Sequence, residues 1–317
     1  MADLTPARLQ LVKEIPKGRG WLYEPKFDGY RGLLMTNGAG QGAVYSRNAK
    51  NLSAYFPELV RLAQGLPRGS VLDGEIVKPT ESGVSFFDLQ HRLAIPISQR
   101  PSVAAQSPVA FVAFDIVQEE SEDLRRLRLS QRRKRLEHVT SVVRNPLLQL
   151  IVQVDDPEAA RLWLQDSIHG IEGVVAKRDE PYPNPTARRW QKVRRESTID
   201  VLVQGFVGEP DSSLRLVIGR RHGDETRILG TTWPIAVDDA KALTSLMASA
   251  VPGERPILTP FVKERIGEWF RLPTELVAEV VVTNIDGDTL RHPARFVRWR
   301  MSEPPELSRG GKARPDS

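Results

Sequence analysis

The sequence predicts an α+β chain in two parts, and three observations predict it. Short, β-rich apolar runs alternate with helical patterns as far as Lys192; a polar, charged stretch, Arg194–Asp200, follows; and beyond it strands dominate. In the first part, strands are expected at Trp21–Pro25, Gly32–Thr36, Val71–Val77, Val109–Val117 and Gly173–Lys177, each short, apolar and bounded by turn residues. A helix is expected over Leu52–Leu66, where Leu52, Phe56, Leu59 and Leu62 recur at helical spacing and Asn51 or Ser53 could cap the start. A second helix, Asp156–Ile168, opens Asp-Pro-Glu. The segment Glu122–Arg135 carries the basic residues Arg125, Arg126, Arg128, Arg132, Arg133, Lys134 and Arg135. It reads either as a solvated amphipathic helix with Leu124, Leu127, Leu129 and Leu136 turned inward, or as a surface that faces DNA.

In the second part, Val201–Val207, Leu214–Arg221, Thr226–Thr232 and Leu276–Ile285 read as strands and Val237–Ala250 as one helix. About five strands and one helix in roughly 100 residues is the content of an OB-type barrel. The expected organisation is therefore 1–196, 197–301 and a disordered tail, 302–317, rich in Pro, Gly, Ser and charge, with a hinge near Arg195–Asp200.

Composition narrows the class. With 317 residues the chain is long enough for two cores, and its 45 Lys+Arg against 40 Asp+Glu permit a nucleic-acid partner without requiring one. There are no cysteines, which excludes disulfides and cysteine-ligated zinc. Met1–Leu11 lacks the pattern of a signal peptide, and the best apolar run, Val109–Phe114, stops at Asp115, far short of the roughly 18 residues of a membrane span. A cytoplasmic, soluble monomer is expected.

The most informative segment is Glu24-Pro25-Lys26-Phe27-Asp28-Gly29-Tyr30-Arg31. A lysine follows a strand, and an Asp-Gly turn comes directly after it. A free lysine is neutral only about once in 2500 at pH 7, so a nucleophilic lysine needs burial or nearby cations to expose its lone pair. Gly29 lets the backbone turn closely beneath a nucleotide, and Arg31 offers a fork of donors to phosphate or ribose. At roughly one in twenty per fixed position, Lys, Asp, Gly and Arg at this spacing arise by chance about 0.002 times in such a chain. An ordinary Asp-Gly turn beside a solvated lysine is the competing reading, and segments farther along the chain decide between them.

The octapeptide resembles motif I of the covalent nucleotidyltransferases: DNA ligases, RNA ligases and mRNA-capping enzymes. Further segments resemble the other motifs of that superfamily, in its order. They are Ser46-Arg47-Asn48, Leu72-Asp73-Gly74-Glu75-Ile76-Val77, Phe111-Val112-Ala113-Phe114-Asp115, Glu172-Gly173-Val174-Val175-Ala176-Lys177, Trp190-Gln191-Lys192-Val193-Arg194 and Arg295-Phe296-Val297-Arg298-Trp299-Arg300. The resemblance implies a nucleotidyltransferase domain of ATP-grasp-like antiparallel sheets with helices, followed by an OB-fold. It implies that Lys26 takes AMP from ATP, with Glu24 beside the adenine and Phe114 stacked on it. Arg31 and Arg47 would lie near the ribose and the 5′-phosphate of a nick. Glu75 and Glu172 would serve the sugar and a Mg²⁺ or Mn²⁺ ion. Lys177, Lys192 and Arg194 would surround the phosphates, and Arg298 and Arg300 would meet the departing pyrophosphate.

The wording from Gly20 to Arg31, with Arg291-His292-Pro293 and Asp123-Leu124-Arg125, is most similar to the small bacterial ATP-dependent DNA ligases: the stand-alone ligase C and the ligase module of end-joining ligase D. Only 25 residues precede Lys26, too few for the helical DNA-binding domain of larger relatives, and no polymerase or nuclease module fits in the chain, so a stand-alone enzyme is expected. Its implied partners are nicked double-stranded DNA and bacterial repair or end-joining proteins. Two departures stand out: Arg194 replaces the usual lysine, and Met301-Ser302-Glu303 replaces the usual Pro-Asp-Lys. An RNA ligase, a capping enzyme or a non-catalytic binder remains the alternative.

Overall fold

The computed structural model describes residues 5–165, 170–209, 213–223, 225–241, 243–254, 266–283, 285–286 and 289–300. Met301-Ser302-Glu303, the tail and the end of the expected Asp156–Ile168 helix lie outside these residues. The chain divides into two compact units, Met1–Arg195 and Glu196–Ser317.

Besides a two-stranded ribbon, Pro79–Thr80 with Gly83–Val84, the first unit holds two main sheets. The smaller runs Leu9–Leu11, Trp190–Arg194, Ile171–Arg178, Trp21–Phe27; the larger runs Leu148–Leu150, Ala110–Glu119, Val71–Val77, Tyr30–Thr36, Gly42–Ser46. The strands Trp21–Phe27 and Tyr30–Thr36 are consecutive in the chain yet belong to different sheets, so the backbone crosses between sheets just after Lys26, through Asp28 and Gly29. Only glycine fits there, because a Cβ on Gly29 would stand 2.3 Å from the Ile76 carbonyl oxygen. Alternation along each strand sets what faces where. Trp21 and Tyr23 pack into a core with Val174 and Ala176 of the neighbouring strand, which leaves Glu24 and Lys26 on the opposite face. The larger sheet buries Leu34, Leu72, Ile76 and Phe111 against Leu59 and Leu136 of two helices, Pro57–Gln64 and Leu129–Val143.

The helical expectations need correction. The helix expected over Leu52–Leu66 is only Pro57–Gln64, because Pro57 fixes its first turn; Phe56 is the N-cap, without a side-chain cap bond. Asn51 and Ser53 instead tie the preceding loop, with Asn51 Oδ1 accepting from Ser53 N at 2.8 Å. The second expected helix is Pro157–Arg161 and then a 3₁₀ turn, Leu162–Leu164; the Asp156 carboxylate caps it through Glu158 N and Ala159 N. In the basic run, Glu122–Asp123 is a strand and the helix begins at Leu129. Arg132 is not solvated. It is fully buried, and its guanidinium donates twice to Asp115, at 2.7 and 2.9 Å. Arg125, Arg133 and Arg135 pair with Asp123, Glu137 and Glu119, so this run is largely neutralised by its own neighbours. The helices Phe86–Ala94 and Arg100–Gln106 go beyond the sequence expectation.

In the second unit, one sheet runs Glu225–Thr231, Arg215–His222, Ser197–Val207, Phe270–Val282, Val251–Pro252, and Arg295–Arg300 also pairs with Phe270–Val282. Thr232 and Ala294 form a parallel bridge, with Ala294 N donating to Thr231 O at 2.9 Å. Val203, Leu216, Leu229, Leu243 and Val280 fill its core. The single helix expected over Val237–Ala250 is two short segments, Val237–Lys241 and Thr244–Met247.

Candidate active site

A pocket opens in the first unit, lined by Glu24, Lys26, Arg31, Glu75, Phe114, Lys177 and Trp190 among others. Its chemistry differs from one end to the other.

At one end stands Lys26, whose ammonium donates to Glu172 Oε1. Glu172 reaches it by an irregularity in its strand. By simple alternation Glu172 shares a face with Val174 and Ala176, which point into the core away from Lys26. The pairing register shifts between Ile171 and Gly173, and Gly173 takes φ 155°. That bulge turns the carboxylate toward Lys26. A Cβ on Gly173 would stand 2.0 Å from the Val193 carbonyl oxygen, so the bulge demands glycine. Lys192, half-buried on the adjoining strand, is pushed down to about 8 by burial, and then by the positive charges of Arg194, Lys26 and Arg47, with Glu172 opposing. That electrostatic set brings Lys26, Glu172, Lys192, Arg194 and Arg47 together as one group. Arg47 itself is exposed, its backbone N donating to Arg31 O at 3.2 Å.

Glu75 faces this group. Burial raises its carboxyl to about 7, Lys26 and Arg31 pull it back down, and the negative charges of Glu172 and Asp73 add to the rise. Two carboxylates that act on each other across the site offer oxygen donors of the kind a hard divalent cation takes. Among the described residues there is no cluster of three or more metal-binding side chains. Glu75 and Glu172 would therefore supply part of a Mg²⁺ or Mn²⁺ shell, with phosphate oxygens and water completing it, which is how Mg²⁺ is usually held. The residues fit the ion.

At the other end the charges are buried and saturated. Glu24 accepts from Lys177 at 2.7 Å and from Gln153 Nε2 at 2.8 Å. Lys177 also donates to the Phe114 carbonyl at 3.3 Å and lies over the rings of Trp190 and Phe114, at 4.1 and 4.6 Å. Lys177 is therefore not one of a ring of cations around Lys26; its ammonium is committed to Glu24 and two aromatic faces. Arg31 is committed as well: its Nε and Nη2 bind both oxygens of Asp73, at 3.0 and 2.6 Å. Tyr182 donates to the same carboxylate at 2.5 Å. Sequence reasoning does not single out Asp73, Gln153, Tyr182 or Trp190 as site residues. Asp73 and Trp190 stand within segments that it does single out, whereas nothing local marks Gln153 or Tyr182.

Arg298 and Arg300 lie in the second unit, on the strand Arg295–Arg300, and both are paired with acidic neighbours.

A pocket that sets a lysine against a glutamate where the chain crosses between two sheets defines a nucleotidyltransferase-type domain. The chain belongs to the ATP-dependent DNA ligases: the family described as "ATP dependent DNA ligase domain" matches residues 2–194. It is 29% identical to DNA ligase C2 of Mycolicibacterium smegmatis over 326 residues, 95% of this chain and 91% of that one. It is likewise 29% identical to DNA ligase C of Mycobacterium tuberculosis, over 334 residues, 96% of this chain and 92% of the relative. Among solved structures, mycobacterial DNA ligase D complexed with ATP and MES matches with a TM-score of 0.53 at 24% identity, covering 94% of this chain and 95% of that one. That likeness supports the fold. The expectation of an ATP-dependent DNA ligase of the bacterial repair type holds. No helix among the described residues is long and apolar enough to cross a membrane.

Proposed function

We propose that this ligase seals 3′-hydroxyl/5′-phosphate nicks in duplex DNA through AMP carried on Lys26. The observation that carries the reading is the placement of Lys26 on the pocket wall against Glu172, with Lys192 and Arg194 beside it. Lys26 must shed a proton before its lone pair can reach phosphorus. Glu172 already accepts a hydrogen bond from that ammonium and is placed to receive the proton. The Nζ–P bond then forms as the bond from the α-phosphorus to the bridging oxygen breaks, and pyrophosphate leaves with the electron pair. AMP next passes to the 5′-phosphate of the nick, and the 3′-hydroxyl displaces it. Lys192, Arg194 and Arg47 supply positive charge for the phosphates. A Mg²⁺ or Mn²⁺ ion held by Glu75 and Glu172 would supply further charge neutralisation there. Glu24, Phe114, Lys177 and Trp190 form the base end, where Phe114 offers the adenine an aromatic face.

The second unit reads as an OB-fold. Its three-strand meander, a fourth strand on the first, a fifth on the fourth, and the parallel Thr232–Ala294 bridge toward the third support this reading of a five-stranded barrel with helical segments between strands three and four. The domains are accordingly an adenylation domain, 1–196, and an OB-fold domain, 197–301. Arg298 and Arg300 on the last strand serve the pyrophosphate. The partners are nicked double-stranded DNA and, by the kinship with end-joining ligases, repair proteins of that kind. Intact mass measurement tests the reading: wild-type protein with ATP and Mg²⁺ gains the mass of AMP, and nicked DNA discharges it. If no adduct forms, the enzymatic reading fails. Sealing should also fall steeply between roughly 50 and 200 mM salt, because grip on DNA rests on phosphate contacts.

A further inference from the structure

On the second unit, Asp200, Glu279 and Arg298 stand opposite one another across three neighbouring strands: Asp200 pairs in register with Glu279, and Glu279 with Arg298. Their sheet neighbours Val201, Ala278 and Val280 point into the core, so the charged row occupies the outer face. Arg300, two residues on from Arg298, joins from the diagonal. Arg298 Nε binds Glu279 Oε2 at 2.5 Å, Arg300 Nη2 binds the same oxygen at 3.0 Å, and Arg300 Nε binds Asp200 Oδ1 at 3.2 Å. Glu279 is the least exposed member, at 13% against 60% for Arg298.

Two features argue against a merely stabilising role. Asp200 and Glu279 directly opposite each other repel, which costs stability. Exposed ion pairs return only about 0–1 kcal/mol each. What the arrangement does provide is orientation. The carboxylates take Nε of both arginines and one terminal nitrogen of Arg300, which leaves Nη1 and Nη2 of Arg298 and Nη1 of Arg300 uncommitted to them.

We infer that Glu279 is a positioning residue for adenylyl transfer: with Asp200 it holds Arg298 and Arg300 by their inner edges and presents their outer nitrogens as one fork to the pyrophosphate end of ATP. This rests on Arg298 and Arg300 serving the pyrophosphate. The fork stabilises charge on the pyrophosphate as its bond to the α-phosphorus breaks, and it has no part in sealing a nick that already carries AMP.

The test separates those two steps in the full chain, first stripped of bound AMP with pyrophosphate. Self-adenylation is followed in a single turnover with labelled ATP, and sealing is followed on a pre-adenylated nick without ATP. Glu279→Gln should slow adenylation about tenfold, with a raised KM for ATP, and leave sealing of the pre-adenylated nick within about twofold. Glu279→Asp, which keeps the charge, should recover part of the loss. Arg298→Ala should cost about 100-fold in adenylation, and adding Glu279→Gln to it should cost little more, since Glu279 acts through Arg298. Equal losses in both steps, or additive losses in the double variant, overturn the proposal in favour of a structural role. If Arg298→Ala adenylates normally, the reading of the arginines falls and the proposal with it, while the adduct on Lys26 stands.

Discussion

Two lysine–glutamate pairs bridge the same two strands, Trp21–Phe27 and Ile171–Arg178. Lys26 pairs with Glu172, and Glu24 pairs with Lys177. The chemistry of the partners is identical and their surroundings are not. Lys177 and Glu24 are 1% and 2% exposed, with Gln153 and the two rings completing the enclosure; Lys26 and Glu172 are 16% and 8% exposed and border the half-buried Lys192. A sealed pair cannot release either partner without stranding a buried charge, whereas an open pair can exchange its partner for a phosphate. The difference teaches that position in the pocket, not residue type, separates the group that builds the site from the group that reacts in it.

The largest effect that could break this comparison is at Lys26. Lys26→Ala should abolish the AMP adduct in intact mass measurement while shifting the Tm by no more than a few degrees and leaving binding to a nicked duplex largely intact. Adduct formation by that variant would move the nucleophile elsewhere. At the sealed pair the loss should fall on stability instead. Lys177→Met strands Glu24 in a dry site and should cost about 3–5 kcal/mol in denaturant unfolding. The double change Glu24→Gln with Lys177→Met should recover much of that, because no buried charge is left over. A Lys177→Met protein as stable as wild type would mean that the base end is wetter than its geometry indicates.

Lys192 sharpens the contrast through pH. Its ordinary value is near 10.5 and the folded protein holds it at about 8. It is therefore charged at pH 7 and loses its proton as pH rises through about 8. Affinity for a non-reactive ATP analogue should fall over that range, by about tenfold at pH 9, where roughly a tenth of the side chain remains protonated. Lys192→Arg keeps its charge and should flatten this limb. The sign for stability is opposite. Between about 8 and 10.5 the unfolded chain binds the proton more tightly than the folded one, so this group's contribution to stability rises with pH across that window.

The sequence made some of this legible and hid the rest for identifiable reasons. Lys26 was legible because its strand, turn and glycine are consecutive, and the crossing between sheets is a local event. Glu172 was legible as a residue, but its aim was not, since alternation alone turns it into the core and only the bulge at Gly173 brings it back. Lys177 reads from sequence as a phosphate cation because its partner, Glu24, lies 153 positions earlier and burial is not a local property. Arg132 illustrates the same limit: one arginine in a run of seven basic residues is fully buried against Asp115, and the run itself gives no sign of which. Helix starts fared worst. Pro57 begins a helix that apolar spacing alone places five residues earlier.

Gln153 offers the finest distinction between the two pairs. Its Nε2 donates to Glu24 Oε1 at 2.8 Å, so it completes the enclosure of the sealed pair from a distant part of the sequence. Burial pushes the Glu24 carboxyl up, Lys177 and then Gln153 act to bring it back, and the negative charge of Asp115 adds a smaller rise. Gln153→Ala removes one hydrogen bond to a charged group, worth about 1.5–3 kcal/mol, and partial entry of water would offset some of it. The expected result is a loss of stability smaller than that of Lys177→Met, with a rise of a few-fold in the KM for ATP. The single-turnover rate at saturating ATP should stay near wild type, because the phosphate end is untouched. A drop in that rate with an unchanged KM would join the two ends into one catalytic unit and remove the division drawn between them.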